Sequence, residues 1–569
     1  MQSRKLLLIS ASLGALISMG TAGAAEEPQS SDSNPAPKPS HKAKPSAKSS
    51  ADSPKEMTAQ LQALRDQVEA LQRRLDAQNA TEQQTKATAD QAAAQAASAN
   101  TEAATATVAA QAIPAEVKTA LEATTPKTDR IYYKGVTLTL GGFGALESVY
   151  RTRNETADMA SSFNGIPFNN VSAGQTSEFR FSARQSRITA LVQGDVNPDT
   201  HLAFYGEFDF LGAAQTANSN ETNSYTPRMR VLYNQVDWDH SGLHLLAGQN
   251  WSLVTMQAKG ITPRNEDIPP TIDAQYIPGF SFTRQPQIRV TKDFGGALWL
   301  AISLENPQTT SYTSPTAYPA SVHLTSSAPG GSGFDSANTL SLDHIPDAVV
   351  KIAYDPTIAE RTLHFEVFGL YRSFYERLDS ANRNISGGGV GAGLIVPLVP
   401  QFLDFQLSGM GGKGIGRYGA AQLTDVTFDA AGNIKPVSES QALAGLTLHA
   451  SPKWDIYAFA GEEKESAQAY FLTSSTGVVS PYGYGNPLYS NRGCASETAA
   501  GSCIGNTRVV EQGTAGLWYK PFIGKYGRYQ IGLQYSYTER KAFNGNGPLS
   551  IAPIANDSMV FASFRYYPF

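Results

Sequence analysis

Apolar and polar residues alternate with period two over much of this chain. In Tyr529–Arg540, Tyr529, Ile531, Leu533, Tyr535 and Tyr537 fall on one parity, and Gln530, Gly532, Gln534, Ser536, Thr538 and Arg540 on the other. A strand with that pattern has one greasy and one wet face. A second run, Met559–Phe569, closes the chain on Tyr566-Tyr567-Pro568-Phe569. The rhythm recurs back to Val136. Leu202, Phe204, Phe208 and Phe210 interleave with His201, Tyr205, Glu207 and Asp209, and Leu298, Leu300, Ile302 and Leu304 with Trp299, Ser303 and Glu305. One stretch breaks it. The apolar parity switches from Phe179 and Phe181 to Ile188, Ala190 and Val192, which predicts a bulge near Gln185.

Sixteen strands are predicted: 136–151, 177–193, 199–211, 227–239, 243–250, 285–293, 296–304, 347–355, 361–376, 385–397, 400–413, 439–450, 453–465, 508–519, 528–540 and 557–569. Connections after the even strands are short and turn-like, such as Asp239-His240-Ser241-Gly242 and Ser451-Pro452. Most of those after the odd strands are long: 152–176, 212–226, 251–284, 305–346, 414–438, 466–507 and 541–556. A water-soluble sheet can also alternate, but a sandwich has no reason to gather its long loops at one end. Strands of about ten residues with aromatic ends, apolar outside and polar inside, are the signature of a transmembrane barrel. The expected fold is all-β: a 16-stranded antiparallel transmembrane β-barrel at 131–569, wide enough for an aqueous lumen.

The N-terminal part differs. Arg4 and Lys5 precede the apolar run Leu6–Met19, and Ala22-Gly23-Ala24-Ala25 offers a cleavage site, so 1–25 is expected to be a signal peptide. Residues 26–52 are Lys, Pro and Ser with almost no large apolar side chain, a composition expected to be disordered. In 53–80, Met57, Leu61, Leu64, Val68, Leu71 and Leu75 are spaced as a heptad seam. A lone three-heptad helix is marginal in water, so the seam implies self-association or packing along another surface. Residues 81–130 are an Ala/Gln/Thr-rich linker.

Composition narrows the function. After the N-terminus no apolar run is long enough for a membrane helix, and a net charge of −5 leaves no basic field for nucleic acid. The eight histidines form no H-x-x-H pair, and no metal, cofactor or catalytic group is expected. Cys494 and Cys503 sit in the long loop 466–507, where export to an oxidising compartment favours a local disulfide.

The ensemble resembles a known family. The heptad segment, Gln185-Ser186-Arg187-Ile188, Arg228–Tyr233 followed by Leu246-Ala247-Gly248-Gln249-Asn250-Trp251-Ser252, and the ending Arg565–Phe569 are similar to the DcaP-like trimeric porins of Gram-negative outer membranes. The resemblance implies a homotrimer in outer-membrane lipid and lipopolysaccharide, with the N-terminal extension in the periplasm. It also implies passive diffusion of small solutes, often carboxylates. Tyr567 and Phe569 resemble the signal read by the barrel-insertion machinery, whereas Arg565 departs from it. In such porins the loop after the fifth strand folds inward. Here that loop carries Glu266, Asp267 and Asp273, and the strands expected to face it carry Arg151, Arg180, Arg184, Arg187, Arg228, Arg230, Arg289 and Lys292. Two readings stay open: a cationic wall favouring anions, or a lattice in which Glu147, Glu207, Asp209 and Asp237 cancel it. A barrel anchoring the membrane to the cell wall through its extension is the rival to a channel.

Overall fold

The computed structural model describes residues 130–568 apart from 213–225, 324–342 and 547–551, together with scattered positions between 62 and 98. The chain divides into two units, Met1–Thr125 and Pro126–Phe569. In the first, the described positions are helical, and Val68, Leu71 and Leu75 are exposed. Met57, Leu61 and Leu64, the export signal and the Lys/Pro/Ser stretch lie outside the described residues.

The second unit is a closed antiparallel barrel of sixteen strands. The first eight are β1 (Val136–Arg151), β2 (Glu178–Ser182 continued by Arg187–Asn197), β3 (Thr200–Asp209), β4 (Arg228–Trp238), β5 (Leu243–Trp251), β6 (Arg284–Phe294), β7 (Leu298–Glu305) and β8 (Asp347–Tyr354). The rest are β9 (His364–Leu378), β10 (Ala381–Val399), β11 (Leu403–Lys413), β12 (Ser438–Ser451), β13 (Trp454–Glu465), β14 (Thr507–Gly524), β15 (Gly527–Ala542) and β16 (Ile554–Tyr567). Each strand pairs with the next, and β16 returns to β1 from Gly144↔Tyr566 to Arg151↔Met559. Closure leaves no unpaired edge, as a hydrocarbon solvent requires.

The barrel is inside-out relative to a water-soluble protein. On β7, Leu298, Leu300, Ile302 and Leu304 are exposed while Trp299, Ala301, Ser303 and Glu305 are buried. On β8, Val350, Ile352 and Tyr354 face outward while Asp347 and Lys351 are buried. Ionised groups are almost never fully buried unless paired, so a wall with greasy residues outside and charges inside is built for an apolar surround. Stacked aromatics lie near the short-turn end, Trp454 on Tyr519 at 4.5 Å and Tyr529 on Tyr566 at 4.6 Å. Such rings suit a membrane interface. Among the described residues no helix is long and apolar enough to cross a membrane.

Local details follow from the same pattern. The interruption of β2 spans 183–186, where Gln185 points inward and donates to Ile272 O at 2.7 Å. Strands β9 and β10 run further than the sequence pattern predicts. They meet in a tight turn at Asp379 (φ 49°) and Ser380 (φ 64°), so the expected gap 377–384 is strand instead. Two successive positive φ values are what a type I′ hairpin needs. Arg565 faces inward and donates to Glu147 Oε1 at 2.7 Å, which explains a charged residue in the terminal strand. Tyr567 packs on Phe143, with ring centroids 5.0 Å apart, and Phe569 lies outside the described residues. Cys494 and Cys503 form a disulfide.

Candidate functional site

The loop joining β5 to β6, residues 252–283, does not stay at the rim. Its neck is held by Glu305 of β7, which accepts from Ser252 Oγ at 2.6 Å and Leu253 N at 2.8 Å. It then meets the inward faces of several walls in turn. Lys351 Nζ donates to Thr255 O at 2.8 Å, while Gln257 N donates to Glu366 at 3.1 Å and Gly260 N to Asp355 at 2.8 Å. Further along, Trp518 Nε1 of β14 donates to Pro270 O at 2.8 Å, Ile272 N donates to Gln534 of β15, and Gly279 N donates to Glu463 of β13 at 2.8 Å. Leu253, Ile272 and Ile277 are fully buried. Hydrogen bonds to charged groups contribute about 1.5–3 kcal/mol each. The segment is therefore fastened by the wall's charges as well as by its own apolar side chains.

The structure distributes the predicted cations unevenly. Arg151 is buried, donating to Glu178 at 3.1 Å, with Glu155 3.7 Å away. Arg180 shares Glu178 at 3.1 Å, and Arg184 is paired with Asp158. Arg187 lies 3.4 Å from Glu207, while Arg228 and Arg230 reach Asp209 at 2.7 and 2.9 Å. Arg289 donates to Trp251 O at 2.6 Å. Lys292 falls on the outer parity of β6, bonded to Ser241 O and 4.9 Å from the Phe294 ring centroid. It is separate from this wall. Glu207 and Asp209 do cancel part of the field. Glu147 and Asp237 are committed elsewhere, to Arg565 and His244.

The three loop acids do not line up against the arginines. Asp273 accepts from Ser161 N at 3.1 Å and Gln275 N at 2.8 Å. Asp267 turns to the β8–β9 wall, where burial, with Glu366 adding, pushes its carboxyl up to about 7. Glu266 is raised by burial, against the pull of Arg289. Among the described residues none of the three lies within 4.0 Å of a predicted arginine. Asp273 thus takes one amide from its own loop and one from the β1–β2 loop, while Glu266 Oε1 and Asp267 Oδ2 are buried without a hydrogen-bond partner. In the β1–β2 loop, burial drives Glu155 up to about 8, despite Arg151.

No protein-family model and no curated protein matches the chain. Among solved structures, the outer membrane channel DcaP of Acinetobacter baumannii superimposes with a TM-score of 0.53 at 16% identity, over 76% of this chain and 99% of that one. The barrel has the fold of the DcaP channel. Looser matches include OmpF of Salmonella typhi (TM-score 0.41, 9% identity, 77% of this chain and 99% of that one) and an anion-selective porin from Comamonas acidovorans (0.38, 11%, 76% and 99%).

Within this DcaP-type barrel, two groups escaped the sequence reading. Arg284, taken there only as the loop's end, stacks on Trp251 with its guanidinium carbon 4.8 Å from the ring centroid. On the β12–β13 wall, Glu439, Glu463 and Glu465 are buried together. Glu463 accepts Gly279 N at 2.8 Å and Ala421 N at 2.9 Å, and Glu465 accepts Thr424 N at 2.8 Å. Thus an arginine-rich wall on β2–β6 coexists with a carboxylate-rich wall on β12–β13. The alternation Gly461, Glu463, Glu465 on one parity carried the second signal; nothing in a single strand's pattern says which wall it faces.

Proposed function

We propose that the protein is a DcaP-like outer-membrane porin of a Gram-negative envelope, working as a homotrimer. Small hydrophilic solutes diffuse passively through a lumen narrowed by segment 252–283. The observation that carries this reading is the reversal of polarity across the wall, with Leu300, Ile302 and Val350 outside and Lys351, Arg289 and Glu305 inside. A ring of strands with charged residues inward is a route for water and ions through hydrocarbon.

The arginines of β2–β6 would impose a field across the lumen on a passing solute. Guanidinium groups match the two oxygens of a carboxylate, and the excess of arginine on the first wall favours anions such as carboxylates. The infolded segment would act as the constriction, with Tyr276 touching Arg230 at 3.2 Å and Gly279 touching Glu463 at 2.8 Å. On this reading the extension before residue 126 lies in the periplasm, and the chain carries no catalytic activity.

Swelling of proteoliposomes tests it. Vesicles holding the purified protein should swell rapidly in isosmotic acetate and slowly in a charged oligosaccharide too wide for the constriction. Swelling no faster than in protein-free vesicles, for every solute, would leave the cell-wall anchor as the better reading.

A further inference from the structure

The β5–β6 ladder ends at the pair Trp251↔Arg284, and on either side of that rung the chain turns inward through Ser252 and Thr283. The Arg284 guanidinium is fixed by rings. Its carbon lies 4.8 Å from the Trp251 centroid and 5.4 Å from that of Phe282. Trp251 is itself held by Tyr276 and Phe280, at 6.1 and 6.0 Å. A cation stacked on aromatic faces keeps its N–H edge free for an anion.

The surroundings leave that edge unmet. Asp209 is taken up by Arg228 at 2.7 Å and Arg230 at 2.9 Å, and Glu207 by Arg230 and by Arg187 at 3.4 Å. Arg284 shares this neighbourhood but, among the described residues, has no carboxylate within 4.0 Å, and its guanidinium makes no hydrogen bond. Its Nη1 is buried without a partner. A buried donor left unpaired is a standing cost that an arriving acceptor removes. We propose that Arg284 is the specificity-determining residue of the pore: an unpaired guanidinium, held over Trp251 and Phe282 beside Arg228 and Arg230, that receives a solute carboxylate in its fork. The arginines paired with Glu207 and Asp209 set the geometry around it without supplying the excess charge.

This rests on the anion-favouring reading of the pore. Reversal potentials across a planar bilayer, in gradients of potassium chloride and of potassium acetate, separate the two. The wild-type channel is expected to prefer chloride to potassium and to pass acetate better than its mobility in water allows. Arg284→Gln should bring the chloride-to-potassium ratio several-fold closer to one. Arg284→Lys, which keeps the charge and loses the fork, should hold that ratio and lose the acetate advantage. A wild-type channel preferring potassium overturns the anion reading and this inference with it. An anion-preferring wild type whose ratios Arg284→Gln leaves untouched overturns this inference alone. Should Arg284→Gln yield no channels, an unaltered acetate advantage in Arg284→Lys overturns it equally.

Discussion

Lys351 offers the most direct perturbation of the link between wall and segment. Its ammonium is fully buried, 2.8 Å from Glu366 and 2.8 Å from Thr255 O. Glu366 in turn holds Gln257 N at 3.1 Å and His364 Nε2 at 3.1 Å. Lys351→Met preserves most of the volume and removes the charge. It strands Glu366 against an imidazole and an amide. Breaking a buried pair by deleting one partner costs about 3–5 kcal/mol, because the remaining ion has lost its water and its counter-ion. The lost bond to Thr255 frees the segment further. Adding Glu366→Gln removes the stranded charge, so the double variant should recover about half of the loss and fall well short of the two single losses summed. Equilibrium unfolding in detergent micelles measures the stabilities, and open-channel current noise reports the segment. The single variant should unfold at lower denaturant and flicker more. A loss below about 1 kcal/mol, or a double variant as weak as the two losses summed, would refute the claim that this pair clamps the segment.

Three other outcomes follow from the structure. Asp267 has a folded value of about 7 against its ordinary 3.8. The folded state therefore holds the proton through that window, and stability falls as pH rises from about 4 through 7. Asp267→Asn should flatten the slope by one proton's share and add up to about 4 kcal/mol at pH 8 in unfolding titrations; an unchanged slope refutes this. Ile302→Arg, on the exposed face of β7, should cost about 2–4 kcal/mol of stability in lipid vesicles while leaving the unit conductance intact, and a neutral result would mean that this face is not in hydrocarbon. Reduction of Cys494–Cys503 should release up to about 3 kcal/mol of loop restraint. It should expose 485–506 to protease with the barrel uncut, because that loop ties Asn491 to Gly505 N at 2.9 Å and the Gly505 carbonyl to Arg540; equal cleavage before and after reduction would contradict it.

The barrel was legible because its physics is local and repeated. A strand between lipid and water has to alternate, and the alternation in Leu298–Glu305 or Tyr529–Arg540 is carried by the residues themselves. Where other forces intrude, the reading loses its hold. The β9–β10 hairpin extends past the lipid-facing stretch, so Arg377–Asn384 has no greasy parity to mark it as strand. Lys292 joined the wall on charge alone, although its parity with Ile288 and Val290 puts it outside. The residues of the infolded segment were harder still. Segment 252–283 has no period, and its fastenings come from β8, β9, β13, β14 and β15, far along the chain. No strand pattern says that Asp267 will find Glu366 or that Glu463 will find Gly279. Arg284 looked like a loop end because what distinguishes it, among the described residues, is an absence: the carboxylate that Arg187, Arg228 and Arg230 have and it lacks.

The central claim is a closed wall, apolar outside, around a wet interior that crosses the bilayer. Single-channel recording of the purified protein in a planar lipid membrane addresses it most directly. Discrete, long-lived, near-ohmic current steps in symmetrical salt, growing in proportion to salt concentration, are the expected result. A protein that stays monodisperse in detergent-free buffer and leaves the membrane at its bare resistance would contradict the claim at its root.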